Sequence, residues 1–237
     1  MTLKVEALTK RFGGLTAVDR VSFCLESNGL TAIVGPNGAG KSTLFNLVSG
    51  LIPPSEGRLF FCGEDITGMS IHWRVRSGIG RTFQLVSVFP KLSVQEHMWL
   101  SVKKLERGEG IRRECEIADI LSQLGLLEKR ESPCAALTIS EKKRLELAMV
   151  LALGPKLLLL DEVFAGLMIE EVEQLRKVVL RLAAEKIILL IEHRMDIVME
   201  LASRVLVMVK GALIADGTPD QVRGSSLVQK AYLREEQ

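Results

Sequence analysis

Aromatic residues are scarce in this 237-residue chain, at 5%, and cysteine occurs only at Cys24, Cys62, Cys115 and Cys134. No Cys-x-x-Cys pair is among them, so neither a zinc knuckle nor a thiol redox motif is indicated, and the four read as buried or incidental thiols. A charge excess is missing too, since 31 Lys and Arg against 29 Asp and Glu leave a net +2. So weak a field excludes non-specific binding of nucleic acid as a main role. Mean hydropathy is +0.23, yet no unbroken apolar stretch reaches the roughly 20 residues of a bilayer-spanning helix, so the chain is not expected to span a membrane. The opening Met1-Thr-Leu-Lys-Val-Glu6 has no basic segment followed by an apolar core, and cytosolic residence is the expectation. Internal repeats and low-complexity tracts are absent as well.

What is present is material for a core. Hydrophobic residues make up 47% of the chain, enough for one large domain or two modest ones. Leu3 to Leu8, Val21 to Leu25 and Leu30 to Val34 are strand-like runs parted by turn chemistry at Gly13-Gly14 and Asn28-Gly29. Leu44, Leu47, Val48 and Leu51 recur at helical spacing until Gly50 and Pro53-Pro54 end the pattern. Residues 86–153 read as a separate helical lobe, with Ile117, Ile120, Leu121 and Leu124 on one face. Beyond Gly154-Pro155, the apolar runs Leu157 to Leu160, Ile187 to Ile191 and Val205 to Val209 alternate with amphipathic helices around 172–182 and 195–202. Buried parallel strands covered by helices give such an alternation. Lys210-Gly211 reads as a hairpin turn, and Thr218-Pro219 as the cap and first position of a terminal helix.

The most specific motif is Gly35-Pro36-Asn37-Gly38-Ala39-Gly40-Lys41-Ser42, followed by Thr43, which fits G-x-x-x-x-G-K-[ST] at every fixed position between a strand and a helix. Glycines there let backbone N–H groups close around phosphate oxygens at a helix N-terminus, while Lys41 reaches the β and γ phosphates and Ser42 offers its hydroxyl to Mg²⁺. The expected ligand is therefore Mg-ATP. The run Leu157 to Leu160 ends in Asp161-Glu162, an apolar strand that delivers two carboxylates. Paired with the phosphate loop, Asp161 is expected to hold Mg²⁺ through water and Glu162 to accept a proton from the attacking water.

These parts in this order resemble the nucleotide-binding subunits of ABC transporters across nearly the whole chain. The resemblance implies a P-loop NTPase of α/β class, an ABC-type ATPase core with an N-terminal antiparallel β subdomain and an inserted α-helical subdomain. Residues 1–237 would be a single domain, with 1–85 and 154–237 as core and 86–153 as the helical insertion. It further implies that Phe12 stacks on adenine, although a core phenylalanine is an equal reading of that residue. Gln84, in Arg81-Thr-Phe-Gln84, matches the glutamine that reaches Mg²⁺ and the attacking water. His193, after Ile187 to Ile191 and Glu192, matches the switch histidine that touches the γ-phosphate.

Two stretches depart from the pattern. The family's Leu-Ser-Gly-Gly-Gln loop, which closes over ATP held by a second subunit, aligns with Leu137-Thr138-Ile139-Ser140-Glu141, where both glycines are gone. Thr138 and Ser140 carry over as its nucleotide contacts, and Thr-x-x-Glu141 is a capping box for the next helix. Side chains at Ile139 and Ser140 take up room that glycine leaves, which weakens one composite site. Met168 stands where the family usually has an acidic residue or Asn.

Thr9 to Val18, Gly80 to Gln84, Lys143 to Ala148, Ile191 to His193 and Ala231-Tyr-Leu233 resemble one branch, the ATP-binding subunits of branched-chain amino-acid importers and their amide and urea relatives. That likeness implies a peripheral subunit on the inner face of the cell membrane, working with membrane-embedded permease subunits. It also implies a second, related ATPase, so that a heterodimer is expected, with a homodimer as the alternative. The permease dock would lie between Gln84 and Glu96, where Leu85, Val86, Val88, Phe89 and Leu92 either seat a membrane-subunit helix or pack into the core. Other readings are a catalytically weak regulatory subunit, the ATPase of an exporter, and a soluble ABC ATPase acting on DNA or ribosomes; length and charge disfavour the last.

Overall fold

The structure, a computed structural model, describes residues 2–26, 28–83, 88–102 and 110–233, without the side chains of 110–113 and 230–233. The chain opens with β1 (Leu3–Phe12), β2 (Leu15–Leu25), β3 (Gly29–Val34), α1 (Lys41–Ser49), β4 (Glu56–Phe61), β5 (Glu64–Asp65), α2 (Ile71–Arg76) and β6 (Ile79–Arg81). A helical stretch follows, with α3 (Val94–Val102), α4 (Gly110–Gln123) and α5 (Ile139–Leu151). The remainder alternates β7 (Leu157–Asp161), α6 (Ile169–Glu185), β8 (Ile187–Ile191), α7 (Met195–Leu201) and β9 (Arg204–Val209), then β10 (Ala212–Gly217), α8 (Pro219–Gly224) and α9 (Ser226–Leu233).

Two sheets result. One is antiparallel in the order β2-β1-β4-β5; the other runs β10-β9-β3-β8-β7-β6. In the second sheet β6, β7, β8, β3 and β9 are parallel and β10 closes the edge antiparallel. The continuous apolar runs of β7 and β8 are explained by cover on both faces. Leu158, Leu160, Ile188 and Leu190 point into a core shared with the helical stretch, while Leu157, Leu159, Ile187 and Leu189 point into a second core around α1 and the antiparallel sheet. The helical lobe is therefore continuous in its packing with one face of the parallel sheet, through Val94, Met98, Leu121 and Leu145.

Strand β1 runs four residues beyond the apolar run Leu3 to Leu8, because Arg11 pairs with Thr16 and Phe12 with Leu15 across the Gly13-Gly14 turn. The polar Thr9-Lys-Arg hides that pairing from a hydrophobicity pattern. Sequence-readable turn and cap signals coincide with the observed ends. Lys210 and Gly211, both at positive φ, join β9 to β10, and reciprocal capping boxes at Thr138/Glu141 and Thr218/Gln221 open α5 and α8. Beneath the phosphate-loop helix lies Arg74, 1% exposed, whose guanidinium donates to the carbonyls of Leu47 and Val48 at the end of α1 and of Ile66 and Thr67. Burial pushes its pKa down to about 10, and it remains a cation at the negative end of the α1 dipole.

Candidate active site

Parallel strands bring their C-terminal ends to one edge, and the register here is tight. Ile33 of β3 and Asp161 of β7 both pair with Ile191 of β8. The chain therefore leaves the sheet at one level into the phosphate loop after β3, into Glu162 after β7, and into Glu192 and His193 after β8. Crevices outside the carboxyl ends of parallel strands are where such sheets bind ligands.

The phosphate loop is held by its own backbone and by its lysine. Lys41, 6% exposed, donates from Nζ to the carbonyl of Gly35 at 2.6 Å and that of Pro36 at 2.8 Å. Gly40 enters α1 at φ 99°, and a Cβ there would lie 2.2 Å from the carbonyl oxygen of Ala17, so no other residue fits. No side chain caps α1 at Gly40, which leaves the first-turn N–H groups directed at the cleft as an anion site. Exposed Ser42 sits in that first turn.

Glu162 takes a left-handed backbone at φ 50°, a conformation that costs on the order of 1–3 kcal/mol for a non-glycine residue and collects at functional sites. Its N–H donates to the carbonyl of Ile191 at 3.0 Å. His193 Nε2 lies within hydrogen-bonding distance of Glu162 Oε1, at 2.9 Å. Asp161, 6% exposed, pairs through Oδ2 with Arg81 at 3.1 Å, and its N–H donates to the Thr82 hydroxyl. Burial raises the Asp161 pKa; Arg81 pulls it back down and the adjacent Glu162 adds to the rise. Arg81 also reaches Asn46 Oδ1 and the Ser49 hydroxyl on α1, so one guanidinium ties the phosphate-loop helix to the acidic strand end.

An open cleft of about 720 Å³ gathers five separate segments: Phe12 and Leu15 to Ala17 around the first hairpin, Asn37 to Thr43, Glu162, His193, and Lys210 from the β9–β10 turn. Phe12 is 49% exposed and lines this cleft, so it is not a core phenylalanine. Gly35 and Pro36 lie just behind the lining, as acceptors for Lys41. Gln84 falls outside the described residues, as do Leu85 and Val86. Thr138 and Ser140 do not line the cleft. Thr138 uses its hydroxyl to accept from the Glu141 N–H, Ser140 is buried, and Lys129 pairs with Glu141 at 2.5 Å. What this end of α5 shows to solvent is Ile139, 66% exposed. Of the dock residues, Phe89 is exposed and Val88 and Leu92 are half-buried. His97, a histidine without a motif, is fully buried with Nδ1 near the Ser93 carbonyl and Nε2 accepting from the Phe89 N–H.

Arg81, Lys143 and Glu146 carry no chemistry that sequence spacing reveals. Their partners lie 80, 22 and 63 residues away, and only the fold joins them. A weak signal exists for Arg81, a cation placed three residues before Gln84 in a strand that must approach the acidic one.

A glycine-rich loop between a central parallel strand and a buried helix, with an acidic strand end beside it, defines a P-loop nucleotide-binding protein. Residues 18–165 match the ABC transporter family, and the chain belongs to that family as an ATP-binding, ATP-hydrolysing subunit. Among its relatives, the high-affinity branched-chain amino acid transport ATP-binding protein BraF of Pseudomonas aeruginosa is 36% identical, with 98% of each chain aligned. The lipopolysaccharide export system ATP-binding protein LptB of Haemophilus influenzae is 33% identical over 99% of this chain and 98% of its own. The crystal structure of the ADP conformation of MJ1267, an ATP-binding cassette of an ABC transporter, superposes with a TM-score of 0.89 at 29% identity, covering 98% of this chain and 99% of that one.

Proposed function

We propose that the chain energises an importer of branched-chain amino acids or related small solutes, from the cytoplasmic face of the membrane, in company with permease subunits and a second, related ATPase. The observation that carries the catalytic part is the single cleft shared by Phe12, the phosphate loop, Glu162 and His193. In this reading Phe12 stacks on the adenine, the N–H groups of α1 and Lys41 bind the phosphates, and Glu162 accepts the proton of the attacking water. His193, already in contact with Glu162, orients that carboxylate toward the γ-phosphate. The donors Ser42 and Asp161 are hard oxygens of the kind Mg²⁺ selects, and they would hold it with the phosphates. When bound, Mg²⁺ supplies charge neutralisation at the phosphates.

The solute is inferred from likeness to BraF along 98% of the chain. The relation to LptB keeps an exporter as the second reading. A heterodimer is favoured by the end of α5, where Ile139 replaces glycine, Ser140 is buried and Thr138 is committed to its cap. Such a loop is poor at closing over phosphate, and a partner would supply the better one.

The test is the Mg-ATPase rate of the purified chain against its own concentration, with Glu162→Gln as the blank. Hydrolysis by the chain alone that is absent or weak, with ATP binding intact, supports the heterodimer, and a specific rate that climbs with concentration overturns it in favour of a homodimer. Glu162→Gln is expected to bind ATP normally and to lose a factor of about 10²–10⁴ in rate; an unchanged rate removes Glu162 as the base.

A further inference from the structure

The loop after β7 is held from an unexpected side. Lys143, in the second turn of α5, directs Nζ at three backbone acceptors of one loop, the carbonyls of Glu162 at 3.1 Å, Val163 at 3.4 Å and Ala165 at 2.6 Å. The same stretch contains the turn in which the Ala165 N–H donates back to the Glu162 carbonyl at 3.1 Å, directly following the left-handed backbone of Glu162. A residue in a strained conformation persists only where its surroundings over-determine it. The surroundings here include the Ile191 carbonyl on the sheet side and the Lys143 ammonium on the helical side.

The cation is matched by acids. Glu146, Glu162 and Glu192 all act on Lys143, and Glu192 is 3% exposed with Oε2 lacking a hydrogen-bond partner among the described residues. Burial lowers the Lys143 pKa, and these acids oppose the fall. Glu146, one turn further along the same helix, accepts the Phe83 N–H at 2.7 Å just beyond β6. Helix α5 thus grips the ends of two catalytic-edge strands by charged side chains, and its own N-terminus carries Thr138 to Glu141.

We propose that Lys143 is a positioning residue for ATP hydrolysis, fastening α5 to the loop that bears Glu162, so that a shift of the helical lobe moves the Glu162 backbone with it. The proposal rests on the reading of Glu162 as the base. It differs from a merely structural contact in what it predicts: nucleotide binding survives loss of the lysine, whereas turnover does not. A long ammonium-bearing stem satisfying several carbonyls can be replaced by arginine, which keeps the charge and offers more donors, but not by the isosteric, apolar methionine.

The experiment compares Lys143→Met, Lys143→Arg and Glu162→Gln in the full chain, by Mg-ATPase kcat and KM of the assembly that hydrolyses ATP (the chain alone, or the chain with its second ATPase and permease subunits), by binding of a fluorescent ATP analogue, and by amide hydrogen exchange. Lys143→Met is expected to lower kcat by about 10- to 100-fold, the usual scale for a slightly misplaced reacting group, with analogue affinity unchanged. Exchange should rise at the Glu162 and Ala165 amides and not elsewhere, and Lys143→Arg should recover kcat. Wild-type kcat and wild-type exchange in Lys143→Met, beside an inactive Glu162→Gln, overturn the role of Lys143 alone. Loss of affinity with raised exchange throughout the chain, uncorrected by arginine, reduces Lys143 to a folding contact. Normal hydrolysis by Glu162→Gln removes the base assignment and the proposal with it.

Discussion

Residues that hold charge at the catalytic edge do so against burial, and their cost is measurable. Glu146 is the clearest case, because burial raises its pKa to about 7, with Asp161 adding to the rise and the Phe83 N–H and Lys143 opposing it. The folded pKa lies above the ordinary carboxylate value, so the native state holds a proton that the unfolded chain releases between pH 4.5 and 7. Its contribution is fully favourable below that window and is lost as pH rises through 7. Glu146→Gln, which cannot ionise and still offers an oxygen to the Phe83 N–H, should therefore be more stable than the parent at pH 8. The gain should be on the order of 2 kcal/mol for a half-buried site and should vanish toward pH 4.5. Denaturant midpoints at the two pH values check it; a pH-independent difference would mean that Glu146 does not titrate in this range.

Element packing sets the geometry that those residues use. Helix α5 approaches β6 so closely that a Cβ at Gly80 would meet Val150 Cγ1 at 2.6 Å and Pro155 at 3.0 Å. Gly80→Ala should cost about 1–3 kcal/mol through overpacking and should also lower turnover, since it wedges α5 away from the strand that leads to Phe83. A lower urea midpoint with unchanged kcat would confine the effect to stability. The end of α5 illustrates how far local signals reach. Its capping box was legible as Thr138 and Glu141, because such a cap is a matter of four consecutive residues. That Lys129 joins Glu141, and that Ser140 is buried while Ile139 is exposed, required the packing of the helical lobe around this helix end.

At the scale of the whole molecule, the cleft couples the two sheets, since Phe12 comes from the antiparallel hairpin and the phosphate loop from the parallel sheet. Ligand that bridges them should stabilise the entire chain by mass action. Mg-ATP at about 100 times its Kd is expected to add about 2.7 kcal/mol to Glu162→Gln, read as a rise in melting temperature. Removing Mg²⁺ with a chelator should reduce the rise, and Lys41→Ala should abolish it. A rise that survives Lys41→Ala would place nucleotide elsewhere. Among the described residues no helix is long and apolar enough to cross a membrane; exposed Phe89 with half-buried Val88 and Leu92 is the patch at which the proposed permease contact is to be examined.

The phosphate loop, the acidic pair Asp161-Glu162, the apolar parallel strands and the caps that open α5 and α8 were determined by sequence alone, because each depends on residues within one turn or one strand. Tertiary structure alone decided the rest: that Phe12 opens into the cleft, that His193 touches Glu162, and that Arg81 and Lys143 reach across 80 and 22 residues to the ends of β7. Such contacts join segments whose separation in the chain carries no periodic trace, and they exist only because parallel strands in register bring distant loops to one edge.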